Sequence, residues 1–342
     1  MRHHFFLLLI LSLGLGGLPG CPSTDDDDSA GDDDDAVDDD DAVDDDDAVD
    51  DDDAVDDDDS AAVTLDSLTI NVTATEADTR GTIDVTFEAG WSDGNTTNPT
   101  ETADGVTVAF TTTAGTDADA WAEPTLSSTR VATIDITASL DGVDATAVTV
   151  TFVGAAPNAG DLIVHELLVD GTAGDANGDG TTDANHDAFV EFLNTADVEL
   201  GLDGCTVTER DFDPNLPRHT FGANDNVAPG QALVVFGGGS ADITPAGATV
   251  VVADNANDPG TPLFLHLDPT GDIIRLRNAN GDVVDELAYG SEGTNGMPDA
   301  NIDESITLSP QVTGTSWDAH STVDTVGDTE YSPGTQADGT AF

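Results

Sequence analysis

Residues 175–187 read Asp-Ala-Asn-Gly-Asp-Gly-Thr-Thr-Asp-Ala-Asn-His-Asp, a run that sets oxygen-bearing side chains at alternate positions on a glycine-punctuated loop. Calcium takes six to eight oxygen ligands, and such spacing turns Asp175, Asn177 and Asp179 toward one centre while Gly180 permits the tight bend. The same register adds the backbone carbonyl of Thr181 and the side chain of Asp183. The closing position, where a bidentate acid is needed, falls on His186, and Asp187 follows one residue later, able to close a slightly expanded loop. The expected role is a structural clamp joining two strand ends; a solvated Asp/Asn/Gly loop with no specific metal is the alternative.

Other reactive side chains are scattered. His165 and Glu166 are neighbours in the strand-like run "DLIVHELLVD", and the two-residue period of a strand sends them to opposite faces, a poor geometry for a shared proton or metal. His186 adjoins the acidic loop, while His219, His266 and His320 have no recognisable partner spacing. Glu191 in "FVEF" shares a face with Phe189 and Leu193, and partial burial would raise its pKa; a structural, hydrogen-bonded role is expected. Arg275 and Arg277 point to one face, to bind a carboxylate partner or to pair with local acids. Cys205 reads as a small buried apolar residue. No GxSxG, HExxH or phosphate-cradling glycine loop occurs, so the sequence predicts a protein that is not an enzyme.

Seven basic residues, all Arg, face 70 acidic ones, for a formal net charge of −63 in 342 residues. A chain so acidic repels nucleic acid and attracts cations. Part of the excess lies in residues 21–61, where six Asp tetrads, the later ones separated by Ala-Val, hold 24 Asp; −63 + 24 still leaves −39 on the rest. Like charge without apolar surface cannot offset ordering entropy, so this linker is expected to be disordered, self-repelling and responsive to divalent cations. Fully extended at roughly 3.3–3.6 Å per residue, the 25–59 stretch would span at most about 120 Å.

Before it, Arg2, an apolar run from Phe5 to Leu18 and small residues ahead of Cys21 form a secretory signal over 1–20. Leu18-Pro19-Gly20-Cys21 resembles the lipobox of bacterial lipoproteins, with Pro19 where a small residue is usual. That resemblance implies cleavage before Cys21, acylation of Cys21 and anchorage of an exported protein in the cell envelope. Pro22 follows the cysteine where an Asp would, in some bacteria, favour inner-membrane retention, so the resemblance implies the outer membrane, with surface exposure open. An ordinary exported protein with an incidental Cys21 is the other reading.

From 62 to 155, alternating runs such as "GTIDVTFEAGW" and "RVATIDITASL" are broken by turns at the spacing of a β-sandwich. The stretch "FEAGWSDGNTTNPT" resembles the strand-and-turn signature of bacterial Ig-like domains, and Trp91 and Trp121 are expected at core or edge positions. "GAAPNAG", 154–160, marks a boundary. Beyond it, "DLIVHELLVD", "AFVEFLN", "DVELGLDGCTVTE", "VAPGQALVVFGG", "GDIIRLRNANGDVVDELAYG" and "EYSPGTQADG" follow one another in an order that resembles the lamin-tail domain, an Ig-like sandwich found in nuclear lamins and many secreted bacterial proteins. His165 stands where that family often has Asn, and Cys205 where it often has Trp. The acidic loop of related bacterial sequences ends in an Asp-Glu pair, here Asp187-Ala188. The loop's start resembles an EF-hand-type calcium loop.

Together these readings predict an all-β chain of two Ig-like sandwiches, 62–155 and 156–342, after a disordered acidic linker. Its expected role is to display a calcium-stabilised module to a protein or polysaccharide partner. A purely structural or cation-binding envelope component, or a non-catalytic accessory of a secreted hydrolase system, is the alternative.

Overall fold

The computed structural model describes residues 62–113, 119–210, 216–254, 264–293, 303–324 and 329–342, all within one compact unit, Ala61–Phe342. The signal sequence, Cys21 and the Asp repeat lie outside the described residues.

Alternation of apolar and polar side chains builds the first sandwich. Its strands are β1 Leu65–Val72, β2 Glu76–Asp78, β3 Ile83–Trp91, β4 Thr96–Thr97, β5 Thr107–Thr112, β6 Asp119–Ala122, β7 Thr125–Ser128, β8 Ala132–Leu140, β9 Val143–Asp144 and β10 Val148–Val153. One sheet runs β1-β3-β7-β6 with β4 on β3, and the other β2-β10-β8-β5 with β9 on β8. Ile83, Val85, Phe87 and Ala89 of β3 face inward at every second residue, and so do Ala132, Ile134, Ile136, Ala138 and Leu140 of β8. Each fully buried large apolar side chain contributes about 1.5–3 kcal/mol, so these two strands supply much of this core. Trp91 and Trp121 pack at its margin, their indole N–H groups donating to Thr97 Oγ1 and Glu101 Oε2, both at 2.9 Å.

The second half contains β11 Leu162–Leu168, β12 Phe189–Asn194, β13 Leu200–Gly201, β14 Thr206–Glu209, β15 Pro217–Thr220, β16 Asn226–Val227, β17 Ala232–Phe236, β18 Ala248–Val252, β19 Ile273–Arg277, β20 Val283–Ala288, β21 Ile306–Ser309 and β22 Ser316–Ala319. A six-stranded sheet, β18-β17-β12-β11-β21-β22, packs on a four-stranded one, β15-β14-β19-β20, with β13-β16 as a short ribbon. The inter-sheet core includes Val190, Phe192, Leu233 and Val235 from the six-stranded sheet and Val207, Ile274 and Leu276 from the other. Every residue of β12 and β17 is buried, because the outer face of their sheet is covered too. There Leu168, Phe189, Val234 and Phe236 pack under Ile243 and Tyr331.

The segment 154–160 is not a bare spacer. Ala155 forms a parallel bridge with Leu200, and Gly154 lies so close to Gly201 that a Cβ added to it would meet the Gly201 nitrogen at 2.4 Å. Thr79, buried between the sandwiches, donates its hydroxyl to the Glu199 carbonyl at 2.7 Å and accepts from the Ala155 N–H at 3.1 Å. Glu199 N–H donates to the Thr129 carbonyl at 2.8 Å, and Arg80 bonds both the Ala156 carbonyl and Asp161. The junction is therefore a hydrogen-bonded contact rather than a free hinge. Thr79→Val should lower stability by about 0.5–1.5 kcal/mol by removing the hydroxyl's two hydrogen bonds, the Ala155 N–H keeping its own bond to the Glu199 carbonyl at 3.2 Å; urea unfolding measures it, and an unchanged midpoint would contradict this role.

Candidate functional site

The sequence-predicted loop joins β11 to β12, and its acids face its own backbone. Asn177 Oδ1 accepts from Asp179 N–H at 2.9 Å, Asp179 Oδ1 from Thr181 N–H at 2.8 Å, and Asp175 Oδ2 from Gly180 N–H at 2.9 Å. Asp183 Oδ1 accepts from the N–H groups of Asn185 and His186, which holds its carboxyl below the usual range. The bonds from Asp179 to Asn177, Thr181 to Asp179 and Asn185 to Asp183 are the Asx turns that short polar side chains form readily. Gly178 and Gly180 take the positive φ values, 75° and 86°, that the bends require.

Asp187 closes the loop. It is fully buried, and its two oxygens accept from Asn177 N–H at 3.0 Å and Asp183 N–H at 2.7 Å. Burial raises its pKa, against the pull of those amides. The loop is backed by the segment after β17: Asp242 N–H donates to the Asn177 carbonyl at 2.8 Å, and a Cβ on Gly239 would come within 2.9 Å of Asp179 Oδ2. Asp175 Oδ1 is buried and has no hydrogen-bond partner. The structure thus brings Asp175, Asn177, Asp179, Asp183 and Asp187 onto one compact loop, with their oxygens committed mainly to amides.

The other polar cluster was not expected. Among the described residues, the one set of three acidic or histidine side chains with ligand atoms all within 4.8 Å is His165, Glu166 and Glu191. The sequence reading put His165 and Glu166 on opposite faces of their strand, and this is corrected by a β-bulge. Val164 pairs with Phe192 and Glu166 with Glu191, so His165 is the extra residue between them. A bulge of this kind interrupts the period of two and re-aims a side chain. His165 Nδ1 accordingly reaches Glu191 Oε1 at 2.8 Å, and all three residues are fully buried.

Two carboxylates directly opposite on neighbouring strands repel, and buried they require donors. The C-terminal segment supplies them. Glu166 accepts from Ser305 Oγ at 2.6 Å, Ser332 N–H at 2.9 Å and Ser332 Oγ at 2.7 Å. Glu191 Oε2 accepts from Gly334 N–H at 2.6 Å. Burial pushes Glu191 well up, with the Glu166 charge adding to it, and pushes His165 down to about 4. The structural, hydrogen-bonded role read for Glu191 holds, and its burial is complete.

On the opposite sheet, Arg218 is fully buried and pairs with Glu209. Beside them Asp272 Oδ1 accepts from Arg210 and Ile273 N–H. His219 stacks edge-on against Phe221 and pairs with Asp254 at 3.1 Å. Arg275 pairs with Glu286, and Arg277 donates to the Gly281 carbonyl, so both serve their own hairpin. Cys205 is buried and free, and burial pushes its thiol up to about 11, which suits packing rather than nucleophilic attack.

These sheets belong to the all-β, Ig-like sandwich class. Within the chain, residues 155–291 match the Lamin Tail Domain family model. The described sheet continues past that stretch, since β21 pairs with β11 and β22 with β21. None of the curated proteins matches the chain.

Burial, with the Glu209 charge adding to it, raises the Asp272 carboxyl from 3.8 to about 7. A folded-state pKa above the unfolded one stabilises the fold below about pH 4, and that contribution is lost as pH rises through about 7. Urea midpoints measured from pH 4 to 8 should therefore fall less steeply in Asp272→Asn than in the parent; parallel curves would refute the assignment.

Proposed function

We propose that this chain is a non-enzymatic, lipid-anchored protein of the cell envelope that displays its lamin-tail sandwich to a protein or polysaccharide partner, with the Ig-like module as a bacterial adhesion-type spacer. The observation that carries this reading is where the reactive groups lie. The closest His and Glu side chains are sealed beneath the C-terminal segment and hold it in place, an arrangement suited to offering a surface rather than processing a substrate. Cys21 would carry the acyl chains, each buried methylene contributing about 0.8 kcal/mol of membrane affinity. The Asp repeat would act as a self-repelling tether between anchor and sandwiches. The outer membrane, facing outward, is the proposed location.

Calcium is the proposed stabiliser of the 175–187 loop, held by Asp175, Asn177, Asp179, Asp183, Asp187 and the Thr181 carbonyl. The unpartnered oxygen of Asp175 and the positive φ of Gly180 support this. A carboxylate that accepts one N–H keeps lone pairs for a hard cation. A cation-binding envelope component without a partner is the second reading, favoured by the net charge of −63.

Three measurements separate these statements. Calcium at a hundred times its Kd should stabilise the parent by about 2.7 kcal/mol, and the gain should vanish in Asp179→Ala; equal gains in both proteins would place the calcium elsewhere. Cys21→Ser should move the protein from the membrane to the soluble fraction, and unchanged fractionation would exclude the lipid anchor. Protease treatment of intact cells should remove the sandwiches if they are displayed outward, whereas full protection would favour the second reading.

A further inference from the structure

We propose that His165, Glu166, Glu191 and His320 form a buried site for a divalent transition metal of the Zn2+ class, separate from the calcium loop. Three of the four already have ligand atoms within 4.8 Å of one another. The fourth is the independent observation. His320 is fully buried, and its Nδ1 donates to the Thr329 carbonyl at 3.1 Å. Its Nε2 has no hydrogen-bond partner and lies 4.0 Å from Glu166 Oε1. A buried ring nitrogen and a carboxylate oxygen separated by such a gap leave room for a cation between them. A metal-bound imidazole whose other nitrogen donates to a backbone carbonyl is the usual arrangement around such ions.

The donor set selects the ion. Two imidazoles and two carboxylates suit Zn2+, with bonds of about 2.0–2.2 Å, and binding would open the 2.8 Å hydrogen bond between His165 and Glu191 and bring His320 in toward the other three. Calcium would need six to eight oxygens, which this pocket does not offer. Charge balance points the same way: one divalent cation neutralises the two carboxylates that face each other across β11 and β12. The proton shared by His165 Nδ1 and Glu191 Oε1 leaves to solvent on binding, since metal ligands must be deprotonated. Ser332 Oγ and the Gly334 N–H keep their hydrogen bonds to the second oxygens of Glu166 and Glu191 and fix their orientation, while Glu166 Oε1 gives up one of its two donors, Ser305 Oγ or the Ser332 N–H, to the metal. Because Ser332 and Gly334 also seal the pocket, loading would accompany closure of this segment during folding.

The test uses the full chain with His3 and His4 replaced by Ser, refolded from urea with Co2+ as the spectroscopic probe. One equivalent of Co2+ should give the intense visible bands of a tetrahedral site with nitrogen ligands, displaced by one equivalent of Zn2+ and unaffected by calcium. The bands should be lost in His320→Gln and in His165→Asn, with far-UV circular dichroism establishing which variants remain folded. Weak octahedral bands alone in the parent would overturn the proposal, because the Asp repeat and the calcium loop account for those. Bands that persist in either folded variant would also overturn it. If both variants fail to fold, the parent's melting temperature decides: it must rise when the protein is refolded with Zn2+ rather than EDTA, and equal values would reject the site.

Discussion

Two carboxyl groups, those of Glu166 and Glu191, sit opposite each other on adjacent strands with no access to water. An unpaired carboxylate at such a depth would cost more than a small sandwich has to spare, so the surroundings must supply donors. That requirement explains several features at once. It accounts for a bulge that brings His165 to the same face, and for two serines and a glycine amide arriving from distant parts of the chain. It also explains why the six-stranded sheet is covered on its outer side instead of facing solvent as many antiparallel sheets do. The C-terminal segment is fastened by polar groups, and Tyr331 then packs against the apolar patch beside them.

The same segment links the polar cluster to the acidic loop. Tyr331 lies against Gly174, where an added Cβ would meet its hydroxyl oxygen at 2.4 Å, and burial, with the charges of Asp187 and Asp175 adding to it, raises its phenol pKa. Loop, sheet face and segment are thus one packed assembly with three kinds of contact: amide-capped acids, apolar stacking and charge-assisted hydrogen bonds. The last kind is the strongest per contact and the least forgiving of a missing partner.

Much of the fold was legible because alternation is a direct record of a half-buried strand. The runs containing β1, β3, β5, β8 and β10 all showed it, while β2, β4, β6, β7 and β9 are too short to carry a period. The turn chemistry of Asp175–Asp187 was also readable, since glycine and Asx spacing dictate local bends. The commitment of those acids to amides was not, because it depends on how the loop leans on residues 237–242. His165 is the clearest failure: the two-residue period is a property of a regular strand, and nothing in "IVHELL" signals that its partner will pair across it with one residue left over. The glycines of 154–160 read as a boundary, and what that reading could not show is that Gly154 is small because the Gly201 backbone needs its space.

The donors that quiet Glu166 and Glu191 reside at 332–334, far along the chain from the strands they serve. β11 and β12 can pair without that segment, but their two carboxyl groups then lack three of their donors. Until they arrive, the central sheet carries two acids that must remain hydrated or protonated, which keeps its outer face open. The last residues of the chain are in this sense what makes its central sheet dry.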